Sequence, residues 1–168
     1  MIITNSDYLV NFVIPQGPTG PTGPIGPNAG LAAYGGKYSN TSQVLNIGLG
    51  TQTQVPLANT MPNLNTTYTP ANSITVAQAG TYEINYYSNV SAALATTVTF
   101  AVRNNGTNIP STIISRALSV GVESIYSGSV IVTLAAGDVI DMAISALLAV
   151  GITLGSGVNA TLSVKKIS

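Results

Sequence analysis

The run from Gly17 to Pro27 reads GPTGPTGPIGP, with glycine at 17, 20, 23 and 26 and proline after each. Glycine at every third position is the requirement of a collagen-type triple helix, because only a residue without a side chain fits where three polyproline-II strands meet on the axis. A segment of this kind implies three copies. Ala29 stands where the next glycine would fall, so the pattern stops there. The triplets at Gly17, Gly20, Gly23 and Gly26 are too few to hold three chains alone, so the repeat reads as a connector between parts that must be trimerised by something else. It divides the chain into a leader over 1–16, a Gly-X-Y stalk over 17–29 and a main domain over 30–168, long enough for one core of its own.

The leader places Tyr8, Val10, Phe12 and Ile14 at a spacing of two, and Pro15 ends the run. That is the period of a β-strand. With a stalk directly behind it, such a strand has nothing local to pair with. It reads either as a disordered tail or as an anchor that adds a strand to a partner or to a neighbouring copy. The leader has no Lys or Arg and only a short apolar stretch, so it does not read as a secretory signal.

Composition points toward association as well. Charged residues make up 6% of the chain and the net charge is zero, against about 25% in ordinary globular proteins. A chain with so little charge is expected to cover much of its surface with other copies. Lys165-Lys166 is the one adjacent basic pair, too small for a nucleic-acid footprint and readable as solubilising charge on the last strand. No stretch reaches the length of a membrane span; Met142–Leu154 comes nearest and reads as a buried strand plus its continuation.

The main domain reads as all-β. Runs rich in Val, Ile, Thr and Tyr are expected as strands at 31–38, 44–49, 52–58, 73–77, 80–91, 95–104, 110–119, 123–134, 138–148 and 157–167. Asn104-Asn105-Gly106 is a hairpin signal, and Gly128 reads as a bulge that would put Ile125, Val130, Val132 and Leu134 on one face. About ten short strands at this spacing imply a sandwich or jelly roll. The segment 138–148 is apolar almost throughout, the mark of a strand covered on both faces. Val139, Ile140, Met142, Ile144, Ala146 and Leu148 are therefore the candidate inter-subunit residues. Tyr82, Tyr86 and Tyr126 read as core or interface, and Tyr34 and Tyr38 as packing near a threefold axis.

A Gly-Pro-Thr stretch followed by about 140 residues of β-rich sequence resembles the spore-surface collagen-like glycoproteins of the BclA type. The main domain resembles the tumour-necrosis-factor and complement globular-head superfamily. ITVAQAGTYEINYYSNVS at 74–91, FAVRNNGTNIPST at 100–112, VTLAAGDVIDMAIS at 132–145 and NATLSVKKIS at 159–168 carry this resemblance by their order. It implies a ten-stranded jelly roll, a homotrimer and a role in a nap, filament or appendage on the spore surface or exosporium. It also implies O-linked glycans on Thr19 and Thr22, although threonine is simply tolerated at such positions too. A spore-coat or exosporium protein is the implied anchor, with a second copy of the chain as the alternative. A ligand-binding head or a phage-type fibre tip are the other readings of such a trimer.

The chain contains no Cys and no His, which excludes Cys-His and Ser-His nucleophiles and thiolate metal sites. Asp138 and Asp141 are the nearest thing to a carboxylate pair; they read as a turn cap and a lone charge, with an oxygen-ligand cation site as the alternative. The expectation is a non-enzymatic protein without cofactor.

Overall fold

Strict alternation makes Gly80–Ala92 the longest strand of the described part, with Tyr82, Ile84, Tyr86, Ser88 and Val90 turned inward. The computed structural model describes residues 30–168 together with the single position Gly17. Gly20, Gly23, Gly26, Thr19, Thr22 and the leader residues Tyr8, Val10, Phe12 and Ile14 lie outside the described residues. In chain order the strands are β1 (Tyr34–Ser39), β2 (Val44–Ile47), β3 (Gln52–Gln54), β4 (Asn59–Thr60), β5 (Thr66–Thr67), β6 (Ile74–Val76), β7 (Gly80–Ala92), β8 (Thr96–Asn104), β9 (Thr107–Asn108), β10 (Ile114–Leu118), β11 (Ser124–Leu134), β12 (Val139–Ala146), β13 (Val150–Leu154) and β14 (Ala160–Lys166). One 3-10 turn, Pro110–Thr112, occupies the start of the expected strand 110–119.

The strands form two antiparallel sheets packed as a jelly-roll sandwich. The first runs β11-β7-β14-β1-β4, with β13 continuing β14 along β7 and β2 pairing with β13. The second runs β10-β8-β12-β6-β5, with β3 beside β6 on β12 and β9 folded onto β8. The chain enters beside its own C-terminus: Lys166 N donates to Ala33 O at 2.8 Å and Thr81 N to Ser168 O at 3.0 Å. This is the end at which the described residues begin, called the stalk end from the stalk expected over 17–29, and β7 runs from it to the distal end.

The expected hairpin is present: Asn104 pairs with Thr107 across Asn105-Gly106, both at positive φ, as a two-residue hairpin turn requires. The expected bulge is absent. β11 pairs with β7 in unbroken register from Ser124↔Val90 to Leu134↔Gly80. Tyr126, Gly128, Val130, Val132 and Leu134 therefore face inward and Ile125 faces outward. Glycine is required at 128 by close approach, since a Cβ there would lie 2.5 Å from Tyr86 Oη. The expected strand 138–148 stops at Ala146, and Leu147-Leu148-Ala149 turns the chain into β13.

β12 is central in the second sheet, and its double burial arises within one protomer. Ile140, Met142, Ile144 and Ala146 enter the protomer's own core. On the other face Ala143 is buried and Asp141 is held by Arg103, whose Nε and Nη2 both donate at 2.7 Å, and by Gln54 Nε2 at 2.8 Å. Asp141 is thus paired rather than a lone charge. Asp138 caps the turn before β12, accepting from Asn105 Nδ2 at 2.8 Å, Ala135 N at 2.9 Å and Asn104 Nδ2 at 3.0 Å. Burial pushes its carboxyl up, but the Ala135 N–H and the two amides outweigh that and hold it below the usual value.

Two outcomes follow. Met142→Ala should lower head stability by about 2–5 kcal/mol, read as an earlier urea midpoint. The lowered Asp138 pKa means stability that is present above the unfolded value of about 3.9 and lost as pH falls through the folded one. The loss of thermal stability below about pH 4 should accordingly be shallower in Asp138→Asn than in the parent chain.

Candidate functional site: the outward face of the β1 sheet

The outward residues of β1, β14, β7 and β11 line up in rows across the sheet. Tyr38, Thr161, Tyr87 and Ser127 form one row, Gly36, Ser163, Asn85 and Ser129 the next, and Tyr34, Lys165, Glu83 and Ile131 the one nearest the stalk end. Small hydroxyl and amide side chains fill the middle, flanked by half-buried tyrosines on β1 and β7. The only charges in these rows are Glu83 and Lys165, which pair at 3.3 Å. The hydrogen bonds of Lys165 and Ser129 to the Glu83 carboxylate, with the lysine's charge, hold it below its ordinary range.

Beside this face lies a cavity of about 470 Å³ lined by Leu31, Tyr34, Gly35, Gly36, Met61, Pro62, Ser163, Val164 and Lys165. The segment between β4 and β5 continues beside β1, with Met61 N donating to Gly36 O at 2.8 Å and Tyr34 and Leu64 exchanging bonds of 2.9 Å, and Gly36 leaves room for the Met61 side chain over the strand. A Cβ at Gly36 would lie 2.6 Å from Met61 Sδ, and one at Gly35 would overlap Thr66 Oγ1. Tyr68 pins that segment down, its hydroxyl donating to Met61 O at 2.7 Å and accepting from Gly36 N at 3.1 Å. Under it Lys37 is buried with its ammonium 5.1 Å from the Tyr68 ring centroid, and burial pulls its pKa down. Sequence reasoning placed Leu31 in the expected strand 31–38, whereas β1 begins at Tyr34, and it missed Met61 and Pro62 because they share no strand period; the Gly35-Gly36 pair in a β-rich run was the available signal.

Tyr34 and Tyr38 lie on this face as half-buried residues of β1. Tyr82, Tyr86 and Tyr126 lie in the core. The interface assignment on β12 needs correction: Ile140, Met142, Ile144 and Ala146 are already covered within one protomer, so they offer no surface to a second copy. Val139 lies at the stalk end of β12 and Leu148 beyond its distal end, so the two form no common patch. Asp138 and Asp141 are engaged by separate partners, and among the described residues no three acidic, Cys or His side chains come together.

The fold has known counterparts. Murine APRIL at pH 5.0 superposes with a TM-score of 0.54 at 14% identity, over 80% of this chain and 98% of that one. The globular domain of zebrafish complement 1qA gives 0.56 at 13% identity over 81% and 98%, and the Eiger TNF of S. frugiperda 0.57 at 12% over 82% and 92%. At these identities the likeness is one of fold. No curated protein sequence matches the chain. The family model of the BclA C-terminal domain matches residues 36–168, from the second glycine of β1 to Ser168, two residues past β14, and the chain belongs to that family.

Proposed function

We propose that this chain is a structural subunit of a bacterial spore-surface nap or appendage fibre, trimerising through its jelly-roll head and attaching or polymerising through its leader. The observation that carries the reading is a BclA C-terminal domain over residues 36–168 directly behind a Gly-X-Y repeat. Three chains must meet to use the repeat, and the head is the part large enough to bring them together.

The outward face of the β1 sheet is the proposed contact. Its three rows are uncharged apart from one self-paired couple, and an apolar cavity opens beside them. The edge strand β11 exposes Ile125 and Ile131. In the proposed packing, β11 of one copy lies across the face of the next, with Ile131 directed at the cavity. Three such head-to-tail contacts close a ring. Burial of apolar surface drives it, at about 25 cal/mol per Å² before ordering costs. The role is structural rather than catalytic.

The leader, through Tyr8, Val10, Phe12 and Ile14, is the proposed docking strand, seated in a second copy or in a coat or exosporium protein. Thr19 and Thr22 are the proposed sugar acceptors of the stalk.

Light scattering should find the parent chain at three times the protomer mass and Ile131→Glu at the protomer mass, with its circular dichroism unchanged. A trimeric Ile131→Glu would place the contact elsewhere. Removing residues 1–16 should leave trimers while abolishing filaments in electron micrographs; filaments that survive the deletion would show that the leader is not the joint.

A further inference from the structure

Two opposite charges in the distal half of the head have no counter-charge in their own protomer. Lys37 lies over Tyr68, Arg103 holds Asp141 and Lys165 holds Glu83. Asp138 is capped by amides, and Lys166 sits at the stalk end beside Ser168. That leaves Arg116 and Glu123, and among the described residues neither forms an ion pair.

Arg116 belongs to the open side of the sandwich, where β10 ends one sheet and β11 ends the other. It pairs with Val98, whose side chain is in the core, so it points into the gap between the two edge strands. Its guanidinium lies 5.6 Å from the Tyr126 ring centroid, and the residue is exposed. The ring supports the charge from one side and leaves the N–H groups turned outward for acceptors.

Glu123 precedes β11, but its carboxylate is laid over the outward face of the first sheet. Oε2 accepts from Asn89 Nδ2 on β7 at 2.8 Å. Oε1 lies 3.1 Å from where a Cβ on Gly155 would stand, on the far side of β7. The neighbouring acceptors lack donors: the amide oxygens of Asn89 and of Asn159, which is bonded to Asn89 across the sheet, are buried and unpaired. Asn159 Nδ2 already donates to Gly155 O at 2.7 Å and Thr41 O at 3.0 Å, so turning the amide over would only lose those bonds. A carboxylate among unpaired amide oxygens calls for a cation with several N–H donors, which describes a guanidinium.

The two charges stand at one height but on opposite sides of β11. Tyr126 links the sheets at that height: its hydroxyl donates to Val98 O, Val98 pairs with Arg116, and Tyr126 pairs with Ser88, the residue before Asn89. Three chains that share a parallel stalk are related by rotation about it, which leaves heights unchanged. Ile131 and the cavity obey the same rule, since Ile131 shares a row with Tyr34 and Lys165. When the edge of one copy crosses the face of the next, Arg116 is brought to the height of the neighbour's Glu123.

We infer that Arg116 of one copy binds Glu123 of the next, and that this ion pair sets the register in which the three heads close. The inference rests on the trimer and the edge-to-face packing proposed above. Complementary charges of this kind select one docking geometry among those that apolar burial alone would allow.

The test is dissociation of the full chain on dilution, followed by analytical ultracentrifugation, with the same urea concentration added to every sample where dilution alone leaves the parent trimeric. Arg116→Glu and Glu123→Arg each set like charges against one another. Each should raise the concentration of half-dissociation about thirtyfold, from about tenfold per contact over three contacts, because the midpoint follows the square root of the dissociation constant. The double variant Arg116→Glu, Glu123→Arg restores opposite charges and should return to within about threefold of the parent. Both side chains are exposed, so the variants keep their fold, checked by circular dichroism. Single variants that dissociate like the parent, or a double variant no tighter than the singles, overturn the inference and leave the trimer standing. A parent chain that is monomeric at every concentration overturns it together with the trimer, and measuring the parent first tells the two failures apart.

Discussion

Tyr86 and Tyr126 project from one sheet and Phe100 from the other, with ring centroids 5.6 and 5.7 Å apart and the three rings stacked. Each such contact adds about 0.5–1.5 kcal/mol beyond area burial. The stack also fixes geometry. It sets the separation of β7 and β11 from β8, and it demands glycine at 128 so that the Tyr86 hydroxyl can pass. Tyr126 donates to Val98 O at 3.1 Å, and burial pushes its phenol up to about 12 despite the opposing charge of Arg116. The phenol thus keeps its proton and ties β11 to the backbone of β8.

The fold was legible where period and turn chemistry agreed. The alternation in 80–91 gave β7 and its inward face, and Asn105-Gly106 gave the β8–β9 turn. The errors share one cause, which is that a one-dimensional pattern does not say what covers a face. Gly128 looked like a bulge because glycine inside a strand admits two explanations, an extra residue or a near neighbour, and the neighbour is Tyr86 from another strand. The segment 138–148 looked like an inter-subunit strand because it is apolar on both sides. The cover on its outward face is intramolecular: small Ala143 between longer neighbours, and a carboxylate neutralised by Arg103. The candidate face was half visible, through Tyr34 and Tyr38. Its cavity was not, because Met61 and Pro62 reach it from an irregular continuation of β4 that runs beside β1, far from Leu31 in sequence.

The scarcity of charge becomes more pronounced in three dimensions. Of the five basic residues, Lys37 is buried and Arg103 is committed to Asp141. Asp138 is spent on a turn and Glu83 on Lys165. The head therefore presents a nearly neutral surface of Ser, Thr, Asn and aliphatic side chains. Such a surface has little electrostatic repulsion to keep copies apart, and its low charge costs nothing in desolvation when faces meet.

The place of the cavity connects the head to the repeat. Leu31, one of its walls, lies two residues after the repeat segment 17–29, and Lys165, also lining it, lies three residues before Ser168. Under the proposed packing each copy meets its neighbour beside the point where the neighbour's stalk begins. The three Gly-X-Y segments would then start close together and in common register. Their association would become effectively intramolecular, with a local concentration set by the short spacer after the last triplet, Gly26-Pro27-Asn28, where Ala29 alone precedes Gly30. That arrangement would let four triplets, too short to find one another in solution, wind once the head had closed. In the proposed assembly the energy of trimerisation would come from the head, and the repeat would join the three chains on the side of the leader.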